Sequence, residues 1–219
     1  MTLKRHFYGV KIIRTLNLKL AALGLLVLAG SSAVSAHDDK TASNGKIQAA
    51  ANVNQIIASW PEASRMAAAD MIEKYGQPQE ITASMLMWKN NGSWKWTKVT
   101  RETTKHDFPI SHPDLLEQAI NYRAPIEKYD DLARYDGSVI VERTKGEMSA
   151  RCDKEGANFL AINLGNDVAT GKKTSEEART YYAAAIKRFM STKEMDPYMQ
   201  KLQFKPAGQG TGDPDRAAK

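Results

Sequence analysis

The segment from Leu20 to Gly30, LAALGLLVLAG, is an unbroken apolar run, and its surroundings decide which residues are left to fold. Lys4, Arg5, Lys11, Arg14 and Lys19 precede it with no acid among them, and Val34-Ser35-Ala36 behind it fits a small-x-small cleavage pattern. A positive stretch, a short apolar core and a small-residue exit are the three parts of a secretory signal peptide. A membrane-spanning helix needs about 20 apolar residues, whereas this run has 11, bounded by Lys19 and by Gly30-Ser31-Ser32. The expectation is cleavage after Ala36, a periplasmic or secreted destination, and no stable membrane span in the mature chain.

Cleavage also changes the charge balance. The whole chain has 31 Lys+Arg against 25 Asp+Glu, and the five bases ahead of the apolar run leave 26 against 25 once they are removed. A basic patch or stripe is the electrostatic footprint of nucleic-acid binding. The excess here belongs to the targeting segment, so nucleic acid is not an expected partner. The mature 183 residues suit one domain. That domain must be held without an internal disulfide, because Cys152 is the only cysteine.

Residues 37–51 are mostly small and polar and read as a flexible lead-in, residues 52–204 as one domain, and residues 205–219, with three Gly, two Pro and no large apolar residue, as a disordered tail. Within the domain, Pro61 suits the start of a helix that Gly76 stops. Ser84–Lys89 and Ser93–Val99 flank Asn90-Asn91-Gly92 as a hairpin. A three-residue loop would place Leu86, Trp88, Trp94 and Trp96 on one face. Residues 102–113 read as a loop, Pro113–Tyr122 as a helix and Ile126–Tyr135 as a second helix. Ser138–Arg143 reads as a strand, with Glu147–Arg151 after Gly146 as its candidate continuation. A helix from Asp153 to Thr170 follows. Thr174-x-x-Glu177 is a capping box ahead of the strongest helical periodicity, Ala178, Tyr181, Tyr182, Ala185, Ile186, Phe189 and Met190. A short helix near 194–202 ends the series. The expected fold is α+β: five or six helices packed on a small antiparallel sheet that includes the Trp-rich hairpin.

Three groups of residues carry possible chemistry. His106, Asp107, His112 and Asp114 lie within nine residues and offer the N and O donors that zinc and similar ions take. With Pro113 opening a helix, His112 and Asp114 would instead serve as its caps. Cys152 stands between Arg151 and Asp153, just before a helix, where a neighbouring cation and the helix terminus favour a thiolate. Paired with His106 or His112 it would be a thiol nucleophile, and otherwise a small core residue. Trp88, Trp94 and Trp96 form either an exposed binding platform or a lid over the core. The eight methionines of the mature chain show no tight cluster and read as core filling. Gly165 to Lys173 misses the phosphate-loop pattern, with five residues between its glycines and Lys after the lysine.

Residues 60–204 resemble a family of uncharacterised exported bacterial proteins. The likeness is carried by Lys74-Tyr75-Gly76-x-Pro78, Trp88, His106-Asp107-Phe108-Pro109, Asp136-Gly137-Ser138-Val139, Arg151-Cys152-Asp153 and Asn158 to Leu164. It implies export and a single domain, and brings no activity or ligand with it. The leading expectation is a non-catalytic binding or envelope accessory module, its partner a small ligand or another envelope protein and no cofactor required. The alternatives are a metal-binding protein or metal-dependent enzyme on the histidine cluster, with a divalent ion, and a thiol enzyme on Cys152.

Overall fold

The computed structural model describes residues 53–218. The expected signal peptide and the whole lead-in lie outside the described residues. A helical segment over 53–58 precedes α1 (Glu62–Tyr75), which is followed by β1 (Glu80–Ile81), β2 (Met85–Asn91), β3 (Trp94–His106) and β4 (His112–Asn121). A 3-10 turn at Ile126–Lys128 leads into α2 (Tyr129–Tyr135). Then come β5 (Val139–Glu142), β6 (Glu147–Cys152), α3 (Glu155–Ala169), α4 (Ser175–Thr192) and α5 (Pro197–Gln200). The strands form one sheet in the order β1-β2-β3-β4-β6-β5, with every neighbouring pair antiparallel. The fold is α+β, and its sheet has six strands, more than the three or four read from the sequence. Among the described residues no helix is long and apolar enough to cross a membrane.

The largest departure from the sequence reading is the stretch expected as a loop and a helix over 102–122. It forms the end of β3 and the whole of β4. Pro113 suits a helix start, but Leu115, Leu116, Ala119 and Ile120 are all buried. Burial is continuous from Asp114 to Ile120, Glu117 and Gln118 included, and such a stretch belongs to a strand covered on both faces. Tertiary burial overrides the local signal.

The hairpin register also differs. Trp88 pairs with Thr97 and Asn91 with Trp94, around a two-residue Gly92-Ser93 loop. Trp88 and Trp94 are buried in the core, and Trp96 turns to the opposite face. There Trp96 donates to Glu147 Oε2 at 3.2 Å and lies under Lys98. The apolar-face criterion failed because a polar residue, Thr97, is inside. Its hydroxyl accepts from Asn91 Nδ2 at 2.8 Å and from Gln118 Nε2 at 3.1 Å, which removes the cost of burying it. The tryptophans therefore form no exposed platform.

The tail is not free. Thr211 Oγ1 donates to Gly146 O at 2.9 Å, Ala207 N to Asn121 O at 3.1 Å, and Arg143 pairs with Asp213 at 3.3 Å. Gly146 has φ 64°, and a Cβ there would lie 2.2 Å from Thr211 O. Only glycine lets the tail cross the β5–β6 turn this closely.

Two apolar clusters meet at Glu155. One lies between α1 and β2–β4, around Trp60, Met71, Leu86, Trp88 and Val99. The other surrounds α3, around Leu160, Ile162, Leu164, Met148 and Tyr182. At the seam the Glu155 carboxylate accepts from Lys74, from Tyr75, from Trp94 Nε1 at 2.7 Å and from Gln118 Nε2 at 3.1 Å. Burial opposes its ionisation, yet the donors outweigh burial and hold the carboxyl below its usual range. A depressed pKa stabilises the fold above the unfolded value and loses that contribution as the pH falls through the folded one. Glu155→Gln should therefore lower stability by about 2 kcal/mol at pH 7. The gap from wild type should close as the pH drops below about 4. Urea denaturation across pH 3–7 measures both.

Candidate metal centre and adjoining cleft

β3 and β4 run antiparallel with His106 opposite His112. Alternate residues of a strand share a face, so Asp114 joins His112 on the same side of β4. A register shift between Val99 and Thr104 sets the ends of these strands relative to the rest of the sheet. The connecting residues 107–111 are fixed from above. Phe108 packs against Tyr182, and the Arg179 guanidinium lies 3.8 Å over its ring.

The three side chains converge. One ligand atom from each of His106, His112 and Asp114 lies within 4.8 Å of the other two. His112 Nδ1 lies 2.8 Å from the carbonyl of Ile110. A carbonyl only accepts, so Nδ1 carries the hydrogen and Nε2 points inward. Nε2 faces Asp114 Oδ1 at 3.3 Å, and both atoms are buried without a hydrogen-bond partner. Asp114 Oδ2 accepts from the Ser138 hydroxyl. His106 Nδ1 lies 3.6 Å from Asp114 Oδ2, while its Nε2 faces Asp136 Oδ1 at 3.7 Å. His106 Nδ1 also lies 3.3 Å from the Ser138 hydroxyl and its Nε2 is beyond hydrogen-bond distance of Asp136, whereas His112 and Asp114 each have one atom turned to the other and another held by the protein. Ligating histidines characteristically have their other ring nitrogen tied to a carboxylate or carbonyl in this way.

Asp107 does not belong to the cluster: it is exposed and pairs with Lys105 at 2.8 Å. Asp136 and Ser138 do belong, and were not singled out from the sequence. Asp136 caps its own turn by accepting from Ser138 N at 2.8 Å, and this local bond places the Ser138 hydroxyl on Asp114. The turn is set locally by the Asp136 side chain, but its approach to β4 depends on the sheet order.

The electrostatics fit a cation. Asp114 is only 4% exposed. Burial disfavours its charge, but the His112 ring at 3.3 Å and the Ser138 hydroxyl outweigh this and hold the carboxyl low. The Asp114 carboxylate beside it is the chief reason that His112 is pushed up to about 11. The proton on His112 neutralises the buried carboxylate, and a divalent ion would displace it.

Cys152 ends β6, close to His112 but outside the three-residue cluster. It is 4% exposed, and burial pushes its thiol up despite the opposing influence of His112. The imidazolium is engaged by Asp114, so it is not a free base for the thiol. The geometry brings Cys152 and His112 together without activating either in the manner of a thiol enzyme.

A cleft of about 380 Å³ opens beside this site. Ile110, Ile186, Phe189, Met190, Met195 and Met199 form its walls, and His112, Cys152 and Tyr182 line it as well. The methionines, dispersed in sequence, are gathered here by α4 and α5.

Comparison with models of known protein families, with curated proteins and with solved structures finds no match.

The buried, protonated thiol predicts that iodoacetamide labels Cys152 at pH 7 more than about tenfold slower in the folded protein than in guanidinium. Mass spectrometry of timed samples measures this. Equal rates would restore the reactive-cysteine reading.

Proposed function

We propose that this chain is an exported binding protein whose ligand is a divalent transition metal ion, with zinc as the type case, held by His106, His112 and Asp114. The observation that carries the reading is the pair of buried, unpartnered atoms, His112 Nε2 and Asp114 Oδ1, turned toward each other beside His106. A metal bound by both atoms would take the place of the proton that His112 now presents to the carboxylate. Two imidazoles and one carboxylate are a ligand set that zinc accepts, and three protein ligands leave a fourth position for water or a further ligand. Asp136, Ile110 O and Ser138 would orient the ligands, as the atoms around metal sites do. The signal-peptide pattern of residues 1–36 supports the periplasm as the place of work.

Zinc titrated into metal-free protein, followed calorimetrically at pH 7, should bind at one site per chain. Asp136→Asn, which leaves all three ligands in place, should weaken binding by roughly 10–100-fold. Asp107→Asn should leave it unchanged. Absence of zinc binding by the folded wild-type protein, or equal affinity in the Asp136→Asn variant, would overturn the assignment.

A further inference from the structure

The cleft beside His112 joins apolar walls to a polar side, where Asp153 and the exposed Lys154 also line it. Its outer rim holds three of the exposed large apolar side chains among the described residues, Ile110 at 45%, Met190 at 54% and Met195 at 43%. Side chains of this kind scattered singly are ordinary, but gathered around a concavity they mark a binding site. Tyr182, Cys152 and His112 line the same concavity, are largely buried and carry the cleft's hydroxyl, thiol and imidazole. At about 380 Å³ the cleft falls in the lower part of the range of small-molecule sites, which runs from about 300 to 1,000 Å³. Thioether side chains adapt to the shape of an apolar ligand more readily than branched ones.

We propose that the cleft binds a small amphiphile, an aliphatic chain carrying a carboxylate, with the chain against Ile186, Phe189 and Met190 and the carboxylate inward at the metal. This rests on the metal reading. Two neutral imidazoles, one carboxylate and a divalent ion carry a net positive charge, and a three-ligand site has a position left for an oxygen donor. His112 is the residue common to the metal cluster and the cleft. The cleft walls supply the burial of the chain, the metal supplies the preference for an anionic head, and neither alone specifies the ligand.

The test uses decanoate and decanol, titrated below their aggregation concentrations into zinc-loaded and zinc-free protein. Decanoate should bind the zinc-loaded form at least about tenfold more tightly than the zinc-free form, and at least about tenfold more tightly than decanol binds it. Met190→Glu sits on the exposed rim, where a new carboxylate repels the ligand without disturbing the core. It should weaken decanoate binding by about tenfold or more and leave zinc affinity unchanged. If zinc binds but decanoate does not, or decanol binds as well as decanoate, or Met190→Glu has no effect, the cleft proposal fails and the metal reading stands. If zinc does not bind, the metal reading fails, and the metal-directed carboxylate fails with it.

Discussion

A carboxylate buried at the end of a sheet must have a cation beside it, and Asp114 sets this requirement for the whole upper edge of the molecule. Desolvating an unpaired carboxylate is far too costly for a domain of marginal stability. Every neighbour of Asp114 answers that cost. The Ser138 hydroxyl donates to one oxygen, and the two imidazoles stand against the group from β3 and β4. The Asp136 turn, placed by α2 and β5, holds Ser138 and faces His106 at 3.7 Å. One oxygen still lacks a hydrogen-bond partner, and it faces a ring nitrogen in the same condition.

The fold supplies this arrangement through sheet order. β4 lies between β3 and β6, so its end can be approached from His106 on one side and from the β5–β6 layer on the other. α4 fixes the 107–111 connection through Phe108, Arg179 and Tyr182, which keeps Ile110 where its carbonyl meets His112. A second buried carboxylate, Glu155, joins the two halves of the core by a similar logic but with its donors complete. The contrast separates a structural acid from a candidate ligand. Glu155 receives a donor from each group around it, and Asp114 faces atoms that a metal can share.

Much of this was legible where periodicity is local. The capping box at Thr174 and Glu177 forms as read, and α3 and α4 lie close to their expected bounds. The β5–β6 pair follows from its β-branched run and Gly146. The histidine cluster was visible as composition, but its geometry was not. Read as a helix start, His112 and Asp114 became caps. As strand residues they share one face, and only burial of Leu115 through Ile120 decides between the two. The hairpin misled for a related reason. Grouping the tryptophans assumes that the core excludes polar residues, whereas Thr97 is inside with both Asn91 and Gln118 bonded to it. The tail looked disordered by composition, yet its glycines and polar groups find partners on the β5–β6 turn.

Cys152 adds a sharp distinction, because a thiol close to a metal ligand invites a role as a fourth ligand. Its exclusion from the converging set, together with a thiol pushed up by burial, favours a nitrogen and oxygen coordination shell. X-ray absorption at the zinc edge of the loaded protein tests this directly. The account predicts two imidazole nitrogens and oxygen donors at about 2.0–2.2 Å. A sulfur shell at about 2.3 Å, or a zinc ion surrounded by water oxygens without imidazole, would contradict it.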